Sequence, residues 1–103
     1  MSESRIRLGR VDVNSGQLVI IDPCYIDGDL AEEDIYHQAS AATEYETGGQ
    51  LNHRGGAPGL AVAFSSGFGD GEYEVHATIR DFGVLGERVV KVEIDLIPDE
   101  DAW

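Results

Sequence analysis

Positive charge is scarce in this chain. One lysine and six arginines stand against twenty carboxylates, giving a formal net charge of −13 and a pI near 4.3. Affinity for nucleic acid comes from Lys and Arg neutralising phosphates, and attraction to anionic lipid has the same source. Direct nucleic-acid or membrane-surface binding is therefore disfavoured. The single cysteine, Cys24, excludes an intrachain disulfide and with it a stapled secreted scaffold. No apolar run approaches the ~20 residues that a membrane-spanning helix needs. Met1 to Arg5 leads into an alternating segment where a signal peptide would carry an apolar core, so the expected location is cytoplasmic.

An ordinary apolar fraction of 42% argues against disorder. The length predicts one domain over residues 1–103, able to bury roughly 60–70% of its unfolded surface in one core. The acid surplus has two readings. It serves general solubility, or it forms a face for a basic partner, in the extreme case as a decoy filling the groove of a DNA-binding protein.

Periodicity predicts a mainly β (α+β) domain, a small antiparallel sandwich or barrel-like sheet of about five strands with one helix. Ile6 and Leu8 alternate on one phase, and Val11 and Val13 on the other. This one-residue slip calls for a bulge, with Gly9 as its natural site. After an Asn14-Ser15-Gly16 turn, Leu18 to Ile21 reads as a strand covered on both faces, paired with the first as a hairpin. A helix follows, with Asp29 as N-cap, Glu32 three residues on, and a thin stripe through Leu30, Ala31, Ile35, Ala39 and Ala42. It is expected to end near Thr43.

Glu44 to Gly59, with its five glycines, reads as a long loop hinged at Gly48-Gly49 and Gly55-Gly56. Leu60, Val62 and Phe64 then alternate with Ala61, Ala63 and Ser65. Tyr73, Val75, Ala77 and Ile79 line one face of a further strand. In the last strand Val90, Val92, Ile94 and Leu96 are expected to face the core.

Candidate chemistry gathers at two strand ends. Asp22-Pro23-Cys24-Tyr25 is a turn held in shape by proline, in which Asp22 caps its own backbone, orients a ligand or binds a cation. Cys24 as a nucleophile would need His53 or His76 brought to it by the fold, because Asp22 and Asp27 disfavour a thiolate. The second end, Ser66 to Gly71, lacks the Gly-Lys-Ser/Thr ending of a phosphate loop and precedes a strand, so it reads as a hairpin turn with Phe68 in the core. The acids from Asp27 to Asp34 lack the glycine of an EF-hand loop, and one Cys with three scattered His gives no zinc spacing. No cofactor is called for.

Ser15 to Tyr25 and Ser66 to Val75, with the alternating aliphatics of Val89 to Ile97, resemble a group of small bacterial, archaeal and phage β-domain proteins. That group carries Ser-Gly-x-apolar-x-apolar-x-Asp-Pro-Cys-Tyr and Ser/Thr-Gly-aromatic-Gly-Asp-Gly-x-Tyr-x-Val segments. The match covers about a third of the chain. It implies one β-rich domain, singles out Asp22, Cys24, Tyr25, Asp70 and Tyr73, and implies no activity.

The resulting expectation is an acidic binding domain, monomeric or weakly dimeric, with a protein or small molecule as partner. Its contact surface joins Asp22, Cys24, Tyr25, Gly67, Gly69, Asp70 and Tyr73 at one end of the sheet, with no catalytic set. The alternatives are a small hydrolase or transferase using Cys24 or a divalent metal held by aspartates, and the acidic decoy.

Overall fold

The structure is a computed structural model, and it describes residues 2–26, 32–44 and 47–97. It is mainly β, with six strands in two antiparallel sheets of three, and one α-helix; neither sheet closes into a barrel. In chain order the elements are β1 (Glu3–Val13), β2 (Gln17–Ile21), α1 (Glu32–Glu44), β3 (Gly48–Asn52), β4 (Pro58–Ser65), β5 (Gly71–Asp81) and β6 (Glu87–Ile94). Among the described residues no helix is long and apolar enough to cross a membrane. The chain divides into two compact units, residues 1–12 with 71–103, and residues 13–70.

In the first unit the strand order is β1-β5-β6. The charged face is laced by ion pairs between strands. Arg7 meets Glu74, Arg10 meets Glu72 at 3.1 Å, Arg5 meets Glu93 at 3.2 Å, and Arg80 meets Glu3. Arg7 and Arg10 are three residues apart, whereas their partners on β5 are two apart. One extra residue of β1 is thus taken up between them, as the phase slip at Gly9 requires.

The opposite face carries Tyr73, Val75, Ala77 and Ile79, with Tyr73 and Ala77 buried. Across the ladder Val75 pairs with Ile94, Ala77 with Val92 and Ile79 with Val89, because the register shifts between Thr78 and Ile79 and leaves Val90 as the extra residue. The register thus sets Val89 opposite Ile79 with Val90 beside it in the bulge, and Val90, at 38%, is the less exposed of the two. As β6 lies at the sheet's edge, Val89 and Val92 remain more than half exposed.

The second unit is a β2-β4-β3 sheet with α1 packed on one face. β2 pairs with β4 from Gln17↔Ser65 to Ile21↔Ala61, and not with β1. The expected hairpin is therefore corrected: the Asn14–Gly16 turn hands the chain to a different sheet. Ser66 N–H donates to Gly16 O at 3.0 Å, so the β2–β4 ladder continues into that turn. β2 is an outermost strand covered on one face, where the sequence suggested cover on both; Ile20 is 62% exposed.

The expected loop at Glu44 to Gly59 is corrected as well, since it contains β3, which pairs with β4 from Gly48↔Phe64 to Leu51↔Ala61. Gly48 and Gly49 are strand residues, not hinges. A Cβ at Gly48 would lie 2.9 Å from Phe64 Cα, and one at Gly49 would lie 3.9 Å from Ala42 Cβ on the helix. Glycines leave no side-chain period for a sequence pattern to register, yet here they let backbone and helix come close. Gly55 and Gly56 do occupy a turn, with φ of 98° and 101°.

The helix stripe of Ile35, Ala39 and Ala42 packs as expected, against Ala61 and Ala63 of β4, Leu51 of β3 and Val19 and Ile21 of β2. Its proposed cap Asp29, with Leu30 and Ala31, lies outside the described residues. α1 sits on the small-residue face of β4, because alanines allow a helix to approach where valines would hold it off.

Gly48→Ala is expected to lower stability by about 1–3 kcal/mol in urea unfolding, as overpacking against fixed backbone does. Gly9→Ala, where a Cβ meets nothing within 4 Å, is expected to change stability by less than about 0.5 kcal/mol. Equal effects at the two sites would contradict this packing.

Candidate binding site

The two predicted junctions do not share a rim. Asp22 follows the Ile21 end of β2, while Ser66 to Asp70 follows the end of β4 that pairs with Gln17. An antiparallel pair places those ends apart, about 13 Å along β2 at a strand's usual rise. The expected meeting of Asp22 and Asp70 is corrected for this reason. What the structure brings together is Gly16 with Gly69 and Asp70: a Cβ on Gly16 would lie 3.9 Å from Gly69 Cα and 4.0 Å from Asp70 Oδ1.

The first turn is built by Asp22 in extended conformation, with Pro23 opening a single 3-10 turn through Tyr25. The Asp22 carboxylate accepts the Cys24 N–H at 3.0 Å. That hydrogen bond to the charged form holds the Asp22 carboxyl below its ordinary pKa. Cys24 is exposed. Tyr25 is half-buried against the core, and its ring meets His53 edge-on with centroids 4.9 Å apart. The sequence offered His53 only as a partner for Cys24; the fold packs it on the neighbouring tyrosine.

The second turn is organised by Ser66, which is fully buried. Ser66 Oγ donates to Gly69 O at 2.9 Å, and Gly69 N–H donates back to Ser66 O at 2.7 Å. Gly67 and Gly69 take φ of 53° and 116°, so a side chain at either would strain the turn. Asp70 is exposed. Phe68, expected in the core, is 74% exposed at the tip. Tyr73 belongs to the other unit, where it is 7% exposed with its ring folded toward Gly71, and it presents no surface anchor.

Between the two turns runs a cleft that sequence patterns did not indicate. Its floor and walls include Val19 and Ile21 of β2 and Ile35 and Ala39 of α1, with Ser15 at one end and Ile26 at the other, around a cavity of about 290 Å³. Tyr36 and Ile26, both exposed, stand at its mouth. A polar hollow of about 470 Å³ adjoins it, sharing Ser15, Gln17 and Tyr36 and adding Ser40 and Thr43. Gln17 Nε2 donates to Ser40 Oγ at 3.1 Å, and its Oε1 accepts from Thr43 Oγ1 at 2.8 Å. Thr43 also contacts the Ala39 carbonyl, so the polar wall is pinned to the helix. Gln17 stood inside the first motif, and its position on the helix-facing side of β2 was the one available signal.

Electrostatically the units differ. Residues 13–70 contain nine carboxylates and one base, Arg54. The remaining six bases lie in the other unit, where Arg5, Arg7, Arg10, Arg80 and Lys91 are in ion pairs. There Arg7 holds Glu74, and Arg5 holds Glu93, below the usual carboxylate range. Among the described residues no group of three or more His, Cys, Asp or Glu is placed to hold a metal ion.

A carboxylate with a lowered folded pKa stabilises its turn above the ordinary range, and that contribution is lost as pH falls through the lowered value. NMR titration of the Asp22 carboxyl is expected to give a midpoint below that of an unstructured Asp, with the Cys24 amide resonance moving in step. A midpoint at or above the unstructured value would remove the cap from the account. Comparison with protein-family models, with curated proteins and with solved structures yields no match to this chain, so function is read from the site's own geometry.

Proposed function

We propose that the protein is an acidic, non-enzymatic binding domain whose recognition surface is the cleft between β2 and α1, lined from Ser15 to Ile26. The observation that carries this reading is the combination of an apolar cavity with an adjoining polar wall whose hydrogen bonds are already made within the protein. A concave, mostly apolar site with a few fixed polar groups is the usual form of a ligand pocket. At about 290 Å³ the cavity takes a group the size of one aromatic ring or branched aliphatic chain, with the remainder of the ligand lying outside. The sequence motifs fit this role as supports. The proline turn ends β2, and the Ser66 turn fixes its other end through Gly16.

Neutral ring-sized probes test the cleft independently of charge. Indole and p-cresol, titrated against the ¹⁵N-labelled protein, are expected to shift the amides of Val19, Ile21, Ile35 and Ala39 in saturable fashion. Tyr36→Ala, at an exposed mouth residue, is expected to weaken that binding while the spectrum stays folded. Saturating probe with no shifts at those amides would overturn the proposal.

A further inference from the structure

We infer that the cleft recognises an extended, basic peptide segment of a partner protein, which adds to the outer edge of β2 as a further strand and is held at its two ends by Asp22 and Asp70; this rests on the cleft being the recognition surface.

The edge supplies the first support. β2 is outermost in the β2-β4-β3 sheet, and among the described residues its strand pairing is to β4 alone. A strand docking at such an edge gains main-chain hydrogen bonds for affinity and uses pockets under alternate side chains for selectivity. Both faces beside β2 are prepared for that alternation. On the helix side lies the cavity over Val19 and Ile21. On the other side Ile20 is 62% exposed, an apolar side chain for the alternate residues of an added strand to pack on.

Charge selects the occupant. The unit formed by residues 13–70 holds nine carboxylates against Arg54, so its field favours a cation. Exposed carboxylates also mark both ends of the edge, Asp22 just beyond Ile21 and Asp70 beside Gly16. The separation set by β2 matches a segment of roughly five extended residues. The preferred sequence is therefore apolar or β-branched in the middle with Lys or Arg at each end. An acidic segment is repelled, and a free small molecule would use the cavity without the edge.

The test uses a fluorescein-labelled Lys-Val-Thr-Val-Thr-Val-Lys peptide, the same peptide with Glu at both ends, and a version N-methylated at alternate backbone nitrogens. Fluorescence anisotropy with the full chain is expected to show saturable binding of the first only, weakening as salt rises. The doubly substituted Asp22→Asn, Asp70→Asn protein is expected to bind about tenfold more weakly. Equal binding of the N-methylated peptide would overturn strand addition, and equal binding of the Glu-ended peptide or an unchanged double variant would overturn the charge match. If none of the peptides binds while indole still shifts the cleft amides, this inference falls and the cleft reading stands. Loss of both responses removes both.

Discussion

The antiparallel pairing of β2 with β4 is the constraint on which the candidate site depends. Its register, Gln17↔Ser65 to Ile21↔Ala61, sends the two motif turns to opposite ends of one strand. It also sets Ala61 and Ala63 on the face that receives α1, and both are almost fully buried there. Small side chains at that contact bring Ala39 into the core, while the larger Ile35 and Tyr36 stand over the neighbouring strand. The cleft is the space left where a helix packs closely on β4 and spans the edge strand beside it.

Polar groups divide the labour in a comparable way. Gln17, Ser40 and Thr43 satisfy one another across the helix–strand boundary, which fixes the polar wall without exposing unmet donors. Ser66 does the same within its turn, and its burial with both main-chain and side-chain bonds explains a serine at that point of the motif. In the other unit, cross-strand ion pairs spend most of the available arginines on one sheet face. Exposed pairs of that kind add little stability, but they leave residues 13–70 with an almost unopposed negative charge.

Much of the fold was legible because apolar alternation survives in any context. The strand around Val75, the helix stripe through Ala39, the slip at Gly9 and the proline stop after Ile21 all follow from side chains that have one low-energy face to present. Three features were not legible, each for a stated reason. β3 is written largely in glycine and polar residues and has no period. The hairpin between β1 and β2 was inferred from proximity in sequence, but a turn does not reveal whether the chain reverses or changes sheet. Val89, not Val90, stands opposite Ile79 because a bulge shifts register without altering composition. At the site, Asp22 as a self-capping residue was readable from Asp-Pro, whereas the exposure of Phe68 and the burial of Tyr73 were not, since an aromatic beside a turn packs inward or outward according to neighbours distant in sequence.

By itself the sequence determined the helix, the strands that carry an apolar alternation and the sign of the charge, because these depend on local backbone preference and on counting ionisable groups; the glycine-rich β3 lay outside its reach. Only the tertiary structure decided which strands pair. Pairing joins residues tens of positions apart through main-chain hydrogen bonds that every residue type except proline can make, so no local pattern encodes it. That choice separates Asp22 from Asp70, leaves β2 at an edge and opens the cleft beside it.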